Sequence, residues 1–359
     1  MSKPVFNTTW IQPKKPDNFD IKDHELLFKQ RNYSLPLVKT HITNTCRAPF
    51  NNLAVDNKGR VFNCKCSGHV PFVAGLATDF NTFEEVFNSP MALKNQESVT
   101  KKEFEYCATD VCGIEAGDII AKPGYIYLAL EIDHSCNFSC PSCRERMIFI
   151  NDSELLDKIA VYTDRISQWI KTTDKLVIIE FSGGEPFASL VYSKLISEWL
   201  TYKNVNMNIR TNGSLIKQNL SKLVDLDNMI ENITLSISID AASKEVYEQV
   251  RRGGKWDSLL QNLEYVKQLT IKYPSLKVAA SFVVQKDNIN DMIPFVKFCK
   301  DFNITPNFTP LEDWGTWHNY HDHCIHLPSS PYYRQFLDII NELKQVCSQS
   351  NMLRLSAFI

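Results

Sequence analysis

This chain lacks an excess of either charge. Its 39 Lys and Arg face 41 Asp and Glu, a formal net charge of −2. No basic excess marks a nucleic-acid or anionic-membrane surface, so neither partner is expected. The pairs Lys101-Lys102 and Arg251-Arg252 read as solvated faces. Long apolar runs are also missing. The longest, such as Leu176–Ile179, have strand length, far short of a membrane span. The first residues, Met-Ser-Lys-Pro-Val-Phe, contain no apolar signal-peptide core. These absences point to the cytoplasm, where thiols stay reduced. Internal repeats and low-complexity tracts are absent as well. With 44% hydrophobic and 22% charged residues, the chain has the composition of a soluble globular protein with a sizeable core.

What is abundant is cysteine. There are 11, and eight fall between positions 46 and 143: Cys46, Cys64, Cys66, Cys107, Cys112, Cys136, Cys140 and Cys143. Cys299 and Cys347 sit in amphipathic helical patterns and read as small buried hydrophobes. The clustered ones stand in loops beside Pro, Asn and Ser. Metal ligation is the better reading there.

Four regions follow one another. Residues 1–45, with Pro4, Pro13 and Pro16, read as an arm. Residues 46–120 hold five cysteines and short strand-like pieces. Residues 121–315 alternate strand and helix. Residues 316–359 form a His-rich loop and a helix. The third region has strands at Tyr125–Ile132, Leu176–Phe181, Val205–Arg210, Ile233–Ile239, Val278–Val284 and Asn307–Leu311. Helical periodicity separates them, and Gly253-Gly254 interrupts the longest helical run. Such alternation predicts a parallel sheet. Six units predict an α/β fold, a partial (β/α)6 TIM-type barrel, preceded by a small N-terminal α+β cysteine-rich auxiliary domain. The site of such a barrel lies at the C-terminal ends of its strands.

Directly after the first strand comes His134-Ser135-Cys136-Asn137-Phe138-Ser139-Cys140-Pro141-Ser142-Cys143, a C-x-x-x-C-x-x-C spacing. Soft thiolates so spaced in one loop can converge on an iron–sulfur cluster. Zinc is the competing ion, since Cys140 and Cys143 form C-x-x-C. The second strand runs into Phe181-Ser182-Gly183-Gly184-Glu185-Pro186.

The cysteine loop and this Gly-Gly-Glu turn together resemble the signature of the radical S-adenosylmethionine superfamily, over roughly residues 121–312. The resemblance implies a [4Fe–4S] cluster held by Cys136, Cys140 and Cys143, with S-adenosylmethionine chelating the open iron. It implies that Ser182, Gly183, Gly184 and Glu185 receive the ammonium group. Ser238 is implied for the ribose or methionyl carboxylate, and Arg252 for the carboxylate. Ser142 departs from the aromatic residue that the family commonly has before its third cysteine. The expected chemistry is a 5′-deoxyadenosyl radical that abstracts a hydrogen atom from substrate, with an electron donor such as flavodoxin or ferredoxin.

The upstream cysteines resemble SPASM or twitch auxiliary-cluster modules, although those normally follow the barrel. The turn Asp56-Asn57-Lys58-Gly59-Arg60 reads as a hairpin that brings Cys46 and Cys64 together. Cys46, Cys64, Cys107 and Cys112 are then expected to ligate an auxiliary [4Fe–4S] cluster, with Cys66 a fifth candidate. A structural zinc on the same thiolates is the alternative. In the loop after the sixth strand, His318 and His321 are candidates for proton transfer. Cys324 is a candidate hydrogen-atom donor or cluster ligand, and a mononuclear metal on these histidines is a further reading. A capping loop packed by Trp314 and Trp317 is the competing one. The expected substrate is a peptide or protein, with a sugar, aminocyclitol or other small molecule as the alternative. A non-catalytic iron–sulfur carrier is the reading from a different class.

Overall fold

The computed structural model describes residues 46–64, 73–106, 124–223, 226–312 and 314–346. Cys66, Cys107, Cys112 and Cys347 lie outside the described residues. The chain divides into two compact units. The first comprises Met1–Asp133, Ile150–Gly183 and Thr201–Asn206; the second comprises His134–Phe149, Gly184–Leu200 and Met207–Ile359. The fold class is α/β with parallel strands, the partial (β/α)6 barrel expected from the alternation.

In the first unit, β1 (Asn52–Asp56) and β2 (Arg60–Phe62) form the expected antiparallel hairpin, with Ala54 opposite Phe62. Asp56 builds the turn. Its Oδ1 accepts from the backbone of Lys58 and Arg60 at 3.0 Å each, and its Oδ2 from Arg60 Nε at 2.7 Å. A short β3 (Gly75–Leu76) adds to β2. On its other side, β1 pairs in parallel with β4 (Tyr125–Glu131), and β4 with β5 (Leu176–Phe181). The 46–120 stretch, read from the sequence as a domain of its own, thus shares a sheet with the first barrel strand. Cys46 and Cys64 pack into one cluster with Ala48, Val99 and Phe104, close together as the hairpin reading expects.

The helix Ser153–Thr172 starts where the Asp152 carboxylate accepts from Leu155 N at 2.8 Å, an N-cap that satisfies an orphan donor. Its buried Trp169 packs on Phe83 and donates Nε1–H to Phe80 O at 3.0 Å. No helix among the described residues is long and apolar enough to cross a membrane.

In the second unit, β6 (Val205–Thr211) from Met207 on, β7 (Ile233–Ser238), β8 (Lys277–Val284) and β9 (Thr305–Pro310) pair in parallel, in that order. Along β7 the buried residues are Ile233, Leu235 and Ile237, and Thr234, Ser236 and Ser238 alternate with them. This period of two places the serines on the opposite face. Phe282, Phe295 and Phe308 pack ring against ring at 4.9–5.7 Å and anchor the β8–β9 end. The long helical run breaks where the glycines predicted, into Lys244–Val250 and Trp256–Lys272.

Gly59 has φ +72°, and a Cβ added there would stand 2.5 Å from the Tyr162 ring. Gly59→Ala is therefore expected to cost about 1–3 kcal/mol through strain and overpacking. Urea unfolding measures this, and an unchanged midpoint would refute it.

Candidate metal centre

The cysteine loop lies wholly in the second unit, and its shape is set by its own backbone. Cys136 N donates to Ile148 O at 2.7 Å and Ile148 N returns a bond to Cys136 O at 3.3 Å, which closes the loop at its base. Cys143 N and Arg144 N both donate to Cys140 O, at 2.9 and 3.0 Å, so the chain turns tightly between the second and third cysteines. Cys136 and Cys140 are buried and pack with buried Phe138; Cys143 lies against them, half-buried. None of the three forms a disulfide.

Burial pushes the Cys140 thiol up to about 12, with Arg251 the strongest opposing influence. Burial raises Cys136 as well, against the charge of Arg144 and the Phe138 N–H at 3.5 Å. Left alone, these sulfurs hold their protons. A cation that binds thiolate must displace them, which is the ordinary behaviour of iron and zinc sites. Among the described residues, no three His, Cys, Asp or Glu side chains are grouped as ligands of a single ion, and this trio is included. A cubane presents a separate iron corner to each thiolate. The donor set, all sulfur and all from one closed loop, fits such a cluster.

Arginines surround the loop. Arg144 is buried; its Nη1 donates to His134 O at 2.8 Å and its Nε to Cys143 Sγ at 3.5 Å. Arg252 takes hold from the opposite side. Its Nε donates to Ser139 Oγ at 3.1 Å and its Nη2 to Glu145 O at 2.9 Å, while its own carbonyl accepts from Ser139 N at 2.9 Å. Arg252, expected to receive a ligand carboxylate, clamps the cysteine loop through Nε and Nη2. Gly253, at φ +100°, lets the clamp approach closely, since a Cβ there would meet Met147 and the Asn137 carbonyl at 3.1 and 3.4 Å.

Arg251 is not the solvated residue that the sequence suggests. It is mostly buried, with Nη1 at 3.1 Å from Asp240 Oδ2, and its buried Nε has no hydrogen-bond partner. Asp240 is fully buried at φ +61°. Its Oδ1 accepts from Val283 N at 2.8 Å and its carbonyl from Asn288 Nδ2 at 2.9 Å. A buried aspartate in the left-handed region at the end of β7 needs such over-determination.

Glu185 is buried too, and its backbone N donates to Ser135 O at 2.7 Å. Its carboxylate accepts from Thr211 Oγ1 at 2.7 Å, Asn212 N at 2.5 Å and Phe187 N at 3.1 Å. Burial pushes its pKa up, and those three bonds oppose the shift. Both oxygens are thus engaged inside the protein. Glu185 fastens the turn after β6 to the cysteine loop, and Asn212 Nδ2 adds a 2.9 Å bond to Asn137 Oδ1. Oε2 accepts only the Asn212 bond, so one of the carboxylate's roughly four acceptor sites is left over. Gly184 lies in the second unit with it. Ser182 and Gly183 end β5 in the first, where Ser182 N donates to Leu130 O at 2.9 Å. Ser238 Oγ accepts from Ser281 Oγ at 3.3 Å.

The segment after β9 reaches the cysteine loop through Thr316, whose Oγ1 donates to Pro141 O at 2.6 Å. His318 and His321 do not gather there; both are exposed. The interior of this segment is filled by Trp317, stacked on His323 at 4.3 Å, and by Cys324-Ile325-His326. The Cys324 thiol is buried, donates to Tyr320 Oη at 3.3 Å and stands 3.3 Å from His326 Nδ1. His326, Arg144 and Arg251 are the residues that the sequence reading passed over. Only the i,i+2 spacing of Cys324 and His326 gave a local hint.

Residues 130–299 match the family described as Radical SAM superfamily. Over these residues, just under half of the chain, it is similar to that superfamily. That family implies a [4Fe–4S] cluster and S-adenosylmethionine. GTP 3′,8-cyclase of Staphylococcus carnosus is 30% identical over 195 residues, 52% of this chain and 54% of that protein. The mycofactocin maturase MftC of Mycolicibacterium smegmatis is 22% identical over 219 residues, 59% of this chain and 51% of the relative. The chain thus spans about half the length of these curated relatives. A crystal structure of Streptococcus suis SuiB bound to precursor peptide SuiA is 13% identical, with TM-score 0.42, covering 71% of this chain and 60% of SuiB.

Two outcomes follow from these buried groups. Burial lowers His326 from an ordinary 6.5 to about 4. The unfolded chain then binds more protons than the native one between those values, so stability falls as pH drops from about 6.5 towards 4, by roughly 3 kcal/mol in all. His326→Asn should flatten that slope in urea titrations at several pH values, and an equal slope in both proteins would count against it. Glu185→Gln sets an amide donor against one of three donors and should cost about 1–3 kcal/mol. Undiminished stability of that variant would show that the brace does not matter.

Proposed function

We propose that this protein is a radical S-adenosylmethionine enzyme that modifies its substrate by hydrogen-atom abstraction. The observation that carries the reading is the set of three cysteines on one closed, mostly buried loop of a domain that matches this family. Cys136, Cys140 and Cys143 would hold the cluster. The backbone of Gly183 and Gly184 and the hydroxyls of Ser182 and Ser238 would receive S-adenosylmethionine. When bound, the cluster supplies the electron for reductive cleavage of S-adenosylmethionine to methionine and a 5′-deoxyadenosyl radical. The chain's own contribution is positional. Arg252 and Arg144 hold the cysteine loop in shape, and Glu185 ties the β6 turn to it. Such positioning shields a reactive radical from water.

Cys46 and Cys64, packed together in the first unit, would contribute to an auxiliary [4Fe–4S] cluster with Cys107 and Cys112 or Cys66. That cluster would bind substrate or remove the second electron, which makes the net reaction an oxidation. Flavodoxin or ferredoxin would supply the first electron. A peptide or protein is the substrate class we favour, with cross-linking, oxidation or epimerisation as outcome. A small-molecule substrate is favoured by one specific observation, the 30% identity to a protein named for its action on GTP.

Anaerobically prepared protein should contain about eight irons, as two cubanes require, and cleave S-adenosylmethionine to 5′-deoxyadenosine under dithionite. Replacing Cys136, Cys140 and Cys143 together by Ala should remove about half the iron and all of the cleavage. Zinc in place of iron, or cleavage that survives the triple replacement, would contradict the reading. Stimulation of 5′-deoxyadenosine formation by GTP, but by no peptide, would favour the small-molecule class.

A further inference from the structure

The cysteine loop carries a cation that the family motif does not require. Arg144 follows the third cysteine directly, is 7% exposed, and directs its guanidinium at Cys143 Sγ, 3.5 Å away, while His134 O holds the other end at 2.8 Å. Arg251 places a second buried guanidinium on the Cys140 side, partly offset by Asp240 at 3.1 Å. We propose that Arg144 is the built-in counter-cation of the barrel cluster and sets how readily that cluster takes up its electron, with Arg251 as a weaker second. The proposal rests on the radical S-adenosylmethionine reading above.

The physical argument is one of charge. A cubane of core charge two plus with three thiolates carries one net negative charge, and one electron from an external reductant makes it two negative. Each added negative charge is costly in a dry site and is offset by a fixed cation nearby. Groups that touch the ligands and not the metal tune the metal through them. With its Nε 3.5 Å from Cys143 Sγ and little of the side chain in water, the Arg144 charge acts on the sulfurs with little solvent screening. Arg146, two residues on, is exposed and provides the natural comparison: the same charge in the same loop, but in water.

The test is a dithionite redox titration of the iron-loaded protein, read by electron paramagnetic resonance on the signal that S-adenosylmethionine perturbs. Arg144→Gln should lower the ratio of reduced to oxidised cluster at a fixed potential about tenfold, a shift of about 59 mV for a one-electron couple. Arg146→Gln should change that ratio less than about twofold, because solvent screens its charge. Arg144→Lys, which keeps the charge, should stay near the parent. Equal shifts for Arg144→Gln and Arg146→Gln, or none for either, would overturn the proposal. Should Arg144→Gln fail to hold iron, the lysine variant decides. Loading with a parent-like potential supports a role for charge, and failure to load overturns it in favour of a purely structural clamp. If the parent protein itself holds no iron, the failure lies with the cluster reading and not with Arg144.

Discussion

Three sulfur atoms that must become negative are placed where water scarcely reaches them, and much of the second unit answers to that constraint. Cys136 and Cys140 are among its buried residues, and burial alone would keep both protonated. The protein meets the cost in two ways. Cations stand close by, Arg144 on the loop and Arg251 across from it. The loop geometry is also fixed in advance, so that a binding metal need not order it. A preorganised shell of this kind is what metal sites need for both affinity and tuning.

The fixing is distributed over chain segments far apart in sequence. Arg252 bonds the backbone near Ser139 and Glu145, Glu185 bonds Ser135, Asn212 bonds Asn137, and Thr316 bonds Pro141. Glu185 and Asn212 are buried, so losing either tie also leaves a buried polar atom without its partner. Arg252 and Glu185, read from the sequence as ligand contacts, also brace the loop itself. Glu185 accepts three hydrogen bonds because a buried carboxylate needs them.

What the sequence disclosed was local chemistry. The cysteine spacing, the Gly-Gly-Glu turn and the strand–helix alternation all lie within short windows, and the barrel strands were found within a residue or two. The break at Gly253-Gly254 was legible for the same reason. Long-range pairing was not. Nothing near Asn52 announces that β1 lies parallel to β4, some seventy residues on, because parallel pairing leaves no turn signal between its strands. Arg251 looked like one of two surface arginines; its ion pair with Asp240 depends on a left-handed residue at the end of β7 that no residue pattern marks. His318 and His321 drew attention by residue type, yet in a loop the aromatic packing of Trp317 on His323 decides which side chains turn inward.

On the reading proposed above, three cysteines leave one iron of a cubane open for S-adenosylmethionine. Mössbauer spectroscopy of the protein loaded with ⁵⁷Fe, recorded with and without S-adenosylmethionine, examines that claim at the iron itself. The account predicts that a single iron site of the cluster held by Cys136, Cys140 and Cys143 changes its isomer shift on addition, towards higher coordination by nitrogen and oxygen. Spectra that do not change, or a cluster whose four irons are all alike, would contradict it.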